Sequence, residues 1–344
     1  MAEDGFPPEE MKPSRCGPAA IAACLLLSLA CGTQTLTAAT ETPEPDPKTR
    51  LESIPPGNPK GSPETDPWPP EAVSGWSKPV PLEGPVNTAG GEDSPFVTPD
   101  GNALYFTFIS DVNLPAGKQL IDGVTGIWVS RRAGGSWSEP ERVVLTNPGT
   151  DSLDGCIFVR GDRMYFCSVR AGNWREIDWY YATFSISIWT GVTHAGTWMN
   201  ETCEVGELHI TNGYREIYFA SRMAGGLGGF DLWKADATPD GWGEPVNLGP
   251  EVNTDGDENQ PFVTEDGSEL WFSSTSRRGK PGPAVFQCLR REDSSWGDCR
   301  EIFSSFAGEP TLTGDGRTAY FVHHFFTADG QMIEADIYVT HRQK

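Results

Sequence analysis

Residues 76–106 lie over residues 242–272 without a gap, and 17 of the 31 positions are identical. The shared residues include Trp76/Trp242, Pro79/Pro245, Val86-Asn87-Thr88 against Val252-Asn253-Thr254, and Pro95-Phe96-Val97-Thr98 against Pro261-Phe262-Val263-Thr264. A chain that copies itself at a 166-residue offset is built from repeated units, and a repeat constrains the fold more than any single motif. Weaker copies fill the interval. Each sets a turn signal before an aromatic pair: Asp100-Gly101 before Tyr105-Phe106, Gly161-Asp162 before Tyr165-Phe166, Asn212-Gly213 before Tyr218-Phe219, Asp266-Gly267 before Trp271-Phe272, and Asp315-Gly316 before Tyr320-Phe321. Gly and Asn supply the positive φ that hairpin turns need, so these signals predict five β-hairpins. The aromatic pairs recur every 49–60 residues, a period suited to propeller blades of several short strands.

The rest of each unit fits a blade. A third strand is expected at Gly126-Ile127-Trp128-Val129, Ile177-Asp178-Trp179-Tyr180, Phe230-Asp231-Leu232-Trp233, Ala284-Val285-Phe286 and Ala335-Asp336-Ile337-Tyr338. A fourth opens near Trp137, Trp198, Trp242 and Trp296, but the fifth unit ends at Lys344 without one. Residues 76–82 form a strand that belongs to no hairpin of its own. The expected fold is therefore all-β: a five-bladed β-propeller in which 76–82 completes the last blade, because an open ring would expose unpaired edges. Composition agrees, since 39 Gly and 29 Pro exclude a helical bundle and 37 aromatic residues favour strands. Length alone, at 344 residues, would suggest two domains; the repeats replace that with one ring.

Pro95-Phe96-Val97-Thr98-Pro99-Asp100-Gly101-Asn102-Ala103-Leu104-Tyr105-Phe106 and its counterpart at 261–272 resemble the WD40-like "PD" β-propeller repeat family, the TolB-like propellers of bacterial envelope lipoproteins. Gly225-Gly226-Leu227-Gly228-Gly229-Phe230-Asp231-Leu232-Trp233 is similar to the same pattern. The resemblance runs from 75 to the end, with Cys156-Ile157-Phe158-Val159 departing from it. It implies a non-enzymatic binding or scaffolding role at the cell envelope, with an envelope protein, a peptide or a carbohydrate as partner.

Residues 18–31 form an apolar run too short to span a bilayer and sized for a signal peptide, behind the basic stretch Met11-Lys12-Pro13-Ser14-Arg15. Translation is expected to begin at Met11, because Glu3, Asp4, Glu9 and Glu10 do not suit an export signal. Leu27-Ser28-Leu29-Ala30-Cys31 resembles a lipobox, which implies lipidation at Cys31; a plain secretory signal is the alternative reading. Residues 32–74 are rich in Thr, Pro and Glu and read as a disordered tether. The expected layout is thus a signal at 1–31, a tether at 32–74 and a propeller at 75–344. The product would be exported to the periplasm or cell surface and held to the outer membrane by its lipid alone. A formal charge of −22 spread along the chain argues against nucleic acid.

Eleven residues before each aromatic pair stand Ser94, Asp154, Glu207, Gln260 and Glu309, with Glu92, Asp93, Asp257 and Glu258 beside them. First strands of propeller blades line the central channel, so an acidic ring is expected at its mouth, with Asp93, Asp154, Glu207, Glu258 and Glu309 as the binding residues. The ring has three readings. Its carboxylates could cap turns in solvent. They could bind a cation such as calcium, a basic peptide or a sugar. Or two of them could hydrolyse a glycoside as acid and nucleophile, the alternative function. The Gly225–Gly228 and Asp255–Asn259 stretches look like calcium loops but fit better as a flexible loop between second and third strands and as a turn between blades, and Asp178, Asp231 and Asp336 as structural hydrogen-bond partners. His323-His324 is the one His pair, and strand neighbours point to opposite faces, so no metal or cofactor is expected.

Cys156 and Cys167 are placed symmetrically about Gly161-Asp162, and Cys288 and Cys299 about Asp293-Ser294. Facing residues of an antiparallel pair are within disulfide range, so both pairs are expected to be oxidised in an exported chain, leaving Cys203 over.

Overall fold

The computed structural model describes residues 49–120, 122–145, 151–276 and 281–343. The fold is all-β, made of consecutive antiparallel hairpins. One sheet holds Gly91–Val97, Ala103–Ile109 and Gly126–Ala133, with the short outer strands Ser136–Trp137 and Glu141–Arg142. The next holds Ser152–Arg160, Arg163–Arg170, Asp178–Ser185 and Ile188–His194. Then come Leu208–Ile210, Glu216–Ser221 and Asp231–Thr238 with the stubs Gly241–Trp242 and Val246–Asn247, followed by Glu258–Val263, Glu269–Ser274, Ala284–Arg290 and Trp296–Phe303. Ala307–Leu312, Thr318–Phe326 and Met332–His341 follow last. A single parallel pair, Gly91 with Ala335, joins this last group to the first sheet.

The turn chemistry behaves as its residues dictate. Gly101, Gly161, Gly213, Gly267 and Gly316 all adopt positive φ, between 62° and 80°. In three of these turns a Thr hydroxyl donates to the Asp two residues on: Thr98 to Asp100 at 2.6 Å, Thr264 to Asp266 and Thr313 to Asp315 at 2.7 Å. The aromatic pairs that follow are buried between sheets, with Phe106, Phe166, Tyr218, Phe219, Trp271, Tyr320 and Phe321 inaccessible to solvent.

Asparagine ties neighbouring units together. Asn253 Nδ2 donates to Leu232 O at 2.9 Å and Asn253 Oδ1 accepts from Leu232 N at 2.7 Å. The side-chain amide thus pairs with a third strand as a backbone amide would. Asn87 does the same to Ile337, at 2.9 and 3.0 Å, and Asn200 to Trp179, at 3.2 and 2.5 Å. The last repeat therefore stands to the first as the third stands to the fourth. Val80–Pro81 pairs antiparallel with the last strand, Val80 opposite Val339 and Pro81 opposite Tyr338. Trp76 packs edge-on against Trp271 and Phe303, each 5.5 Å away.

Two expectations are corrected here. The tether assigned to 32–74 does not extend to 74, because residues 49–74 are docked on the body. Arg50 is buried, donates to Val86 O at 2.7 Å and to Glu92 Oε1 at 3.1 Å, and lies over the Phe106, Phe108 and Trp128 rings. Lys60 donates to Asp336 at 2.7 Å and Glu334 at 3.0 Å, Asp66 pairs with the buried His323 at 2.9 Å, and Trp68 packs on Phe306. Composition sees few apolar residues here and misses that the charged ones are partners for carboxylates and imidazoles inside the body. The signal, Cys31 and 32–48 lie outside the described residues.

The second correction concerns the cysteines. Cys288 and Cys299 form a disulfide, whereas Cys156 and Cys167 are not joined. The turn is as expected, with Arg160 opposite Arg163 and Phe158 opposite Tyr165. A β-bulge then slips the register, so Gly155 faces Cys167 and Cys156 sits inside the bulge at φ +51°. Alkylation under denaturing, non-reducing conditions should accordingly label Cys156, Cys167 and Cys203 and leave Cys288 and Cys299 unlabelled, as read by peptide mapping.

One hairpin carries backbone strain. Ile186 and Ser187, at the tip between Asp178–Ser185 and Ile188–His194, have φ of +51° and +67°, and Ile186 is 93 % exposed. A β-branched residue in that conformation costs about 1–2 kcal/mol. Changing Ile186→Asn together with Ser187→Gly should stabilise the protein by about 1 kcal/mol in denaturant melts.

Candidate functional site

The same bulge recurs in the first strand of four units, between Asp93 and Phe96, Gly155 and Phe158, Asn259 and Phe262, and Gly308 and Thr311. The residue it extrudes has positive φ: Ser94 at 49°, Cys156 at 51°, Gln260 at 49° and Glu309 at 56°. Pro95, Pro261 and Pro310 follow three of them, a place where a missing N–H costs no ladder bond. In the third unit Glu207 holds the matching position, two residues before His209, which faces Tyr218. A bulge re-aims side chains, and here it turns one residue from each of those four units toward a cavity that Glu207 shares. That cavity is about 50 Å³ and is lined by Ser94, Cys156, Glu207, Gln260 and Glu309, with the following residues of each strand as walls.

The polar end of the cavity is a carboxylate–amide–carboxylate arch. Gln260 Nε2 donates to Oε1 of both Glu207 and Glu309 at 3.4 Å, and Glu309 N donates to Ser273 Oγ at 2.9 Å. Gln260 Oε1 and Glu309 Oε2 are buried without a protein partner. Burial, and then the carboxylates of Asp93 and Glu207, raise the Glu309 pKa well above the usual range, so its carboxyl holds its proton. The Asp93 pKa is raised by burial too, opposed by His324 at 3.7 Å. His209, between the Phe158 and Phe262 rings at 4.9 and 4.8 Å, is driven by burial to stay neutral.

Of the five expected site residues, the structure gathers Glu207 and Glu309 at the cavity with Asp93 directly behind, and it places two elsewhere. Asp154 accepts from Ser168 Oγ at 2.6 Å and Arg170 Nη2 at 2.7 Å. Glu258 accepts from Thr254 N, Thr254 Oγ1 and Ser274 Oγ, each at 2.7 Å. Glu92 holds the same position, bound to Thr88 N and Oγ1 at 2.8 and 2.6 Å. All three carboxylates fasten the start of a first strand, Glu92 and Glu258 through the Thr-x-Gly-x-Glu repeat and Asp154 through Ser168 and Arg170 of the second strand. Asp154 was misplaced because the second hairpin is two residues shorter: Phe158 faces Tyr165, whereas Phe96 faces Tyr105. Counting back from the aromatic pair therefore overshoots, and the cavity residue is Cys156.

The structural reading of the third-strand aspartates holds for two hairpin loops. Asp231 accepts from Leu227 N at 2.6 Å and Gly228 N at 3.2 Å, and Asp178 from Trp174 N at 2.6 Å. A side chain at Gly228 would strike the backbone of Thr254–Gly256, which explains the glycine there without an ion.

No family model matches the chain, and no curated protein matches it. Among solved structures it is similar to TolB from Acinetobacter baumannii, at 13 % identity and TM-score 0.43, over 74 % of this chain and 55 % of that one. It spans about half the length of that TolB. It is also similar to an α-L-arabinofuranosidase from Lactobacillus brevis, at 12 % and 0.43, over 74 % and 92 % of the two chains. The catalytic domain of a GH62 α-L-arabinofuranosidase from Coprinopsis cinerea gives 10 % and 0.47, over 82 % and 98 %.

Proposed function

We propose that this chain is an exported, lipid-anchored five-bladed β-propeller, completed by residues 76–82, that acts as a non-enzymatic binding module at the cell envelope. The ring is supported by Val80–Pro81 on the last strand and by the Asn87 and Asn253 links, which join successive repeats in the same way. The export signal, lipid and location rest on residues 11–31.

The observation that carries the binding reading is the arch of Glu207, Gln260 and Glu309, one residue from each of three successive repeats, held over a small cavity that opens to solvent. At about 10–15 Å³ per water position, 50 Å³ has room for about four waters. A glycosidase needs the scissile bond of its sugar flanked by two free carboxyl groups, and here the Gln260 amide stands between Glu207 and Glu309 and bonds to both. The geometry therefore favours capture of a small cationic group over hydrolysis of a glycoside.

The test is capture from envelope extracts by the immobilised full chain. The Glu207→Gln/Glu309→Gln variant should lose the partner that the wild type retains, while Asp162→Asn, at an exposed turn, should keep it. Identical capture by wild type and double variant would refute the reading.

A further inference from the structure

Resting on that reading, we propose that the group the cavity takes is a single primary ammonium, the end of a lysine side chain presented by the partner. The acceptors set the chemistry. Gln260 Oε1 and Glu309 Oε2 are buried oxygens without protein donors, and the Glu207 carboxylate completes the arch. An ammonium carries three donors and no acceptor, one for each arm, whereas a guanidinium presents five in a planar fork and would leave donors buried unpaired. Among the described residues, no group of three His, Cys, Asp or Glu side chains is placed to hold a metal ion. The walls suit a lysine stem. Pro95, Pro261 and Pro310 line the cavity together with Phe96, Phe158 and Phe262, an apolar sleeve for methylenes beneath a charged head.

The surroundings add a proton to the exchange. Glu309 faces Asp93, Glu207, Gln260 and Ser94, with His324 behind Asp93 and neutral His209 in the wall. An arriving ammonium supplies the positive charge that the protonated Glu309 lacks, so Glu309 releases its proton as the ligand binds, and affinity rises with pH until the amine itself deprotonates.

The experiment is calorimetric titration of the full chain, in neutral detergent, with the capped tripeptide acetyl-glycyl-lysyl-glycinamide and its arginine and norleucine counterparts. The lysine peptide should bind at least about tenfold tighter than the arginine peptide, a gap of about 1.4 kcal/mol. The norleucine peptide should not bind. Gln260→Ala and Glu309→Gln should each weaken lysine binding about tenfold or more with melting temperatures near wild type, and binding should tighten from about pH 6.5 to 8.5 with proton release. Equal affinity for the arginine peptide, no binding of the lysine peptide, or binding indifferent to both substitutions would overturn the assignment. If capture from extracts needs Glu207 and Glu309 but the lysine peptide does not bind, the ammonium is wrong and the binding module stands. If the peptide binds and capture is unchanged, the converse holds.

Discussion

Replacing Arg50 with alanine is expected to lower the stability of the whole body by about 3 kcal/mol, although the residue lies in a Pro- and Thr-rich stretch with no apolar pattern. The guanidinium is 5 % exposed and Glu92, its partner, is 0 % exposed. Removing it leaves Glu92 buried without its cation, strips donors from Val86 O and Pro85 O, and vacates the space over Phe106, Phe108 and Trp128. Each is a named route to a large loss. Arg50→Lys should recover only part of it, since one ammonium cannot serve both carbonyls and the carboxylate in the same fork. Leu51→Ala, at a position 70 % exposed, should cost less than about 0.5 kcal/mol. Denaturant unfolding of the three variants measures this. Equal stability of Arg50→Ala and wild type would show that 49–74 is an idle tether after all.

The second large effect is on pH. Burial, then Asp336, raises the Glu92 pKa to about 7, and burial, then Asp336, raises that of Glu334 to about 8. Asp93, Glu258, Glu309 and Asp336 are shifted upward as well, burial being the first cause in each. A carboxyl with a raised pKa in the folded state binds protons that the unfolded chain has released. Its stabilising contribution is complete below the unfolded value, near 4.5 for Glu, and is lost as pH climbs through the folded value. One pKa unit corresponds to about 1.4 kcal/mol, so Glu92 alone accounts for about 3 kcal/mol between pH 4.5 and pH 8. The turn aspartates Asp100, Asp266 and Asp315 act oppositely: their Thr hydroxyls lower them, so their contribution fades only as pH falls below about 4. Stability should peak near pH 5 and fall through pH 7–8, with a melting temperature about 5 °C or more lower at pH 8 than at pH 5.5. Constant or rising melting temperature over that interval would contradict the burial of these carboxyls. In Arg50→Ala the fall should be steeper, since the cation that restrains Glu92 is gone.

What was legible in the sequence follows from local chemistry. Gly101, Gly161, Gly213, Gly267 and Gly316 occupy positions where positive φ is needed, and that need is written in the residue itself. The aromatic pairs after them reach the core because strand alternation and hydrophobicity agree. Thr-x-Gly-x-Glu reads as a structural turn, and both Glu92 and Glu258 are bound as such a turn requires. The cavity was half legible. Glu207 and Glu309 could be found by counting because their hairpins share one length. Asp154 could not, because the second turn is shorter, and Cys156 was hidden by a bulge that no residue type announces. The same bulge separates the expected Cys156–Cys167 pair. Pro after Ser94, Gln260 and Glu309 was an available signal, since Pro inside a first strand is tolerated where the ladder is already broken. Arg50, Lys60 and Asp66 were missed for a different reason: composition weighs apolar residues, while this segment is held by charges whose carboxylate and imidazole partners lie 42 to 276 positions away.

Cys156 gives the account its most direct test. It lines the cavity and is partly accessible, while Cys167 and Cys203 are buried. The alkylation rate of Cys156 in the native full chain should drop about tenfold once the captured envelope partner is bound, and the Glu207→Gln/Glu309→Gln variant should lose that protection. A Cys156 that reacts at the same rate with the partner bound would place the binding surface somewhere other than the cavity.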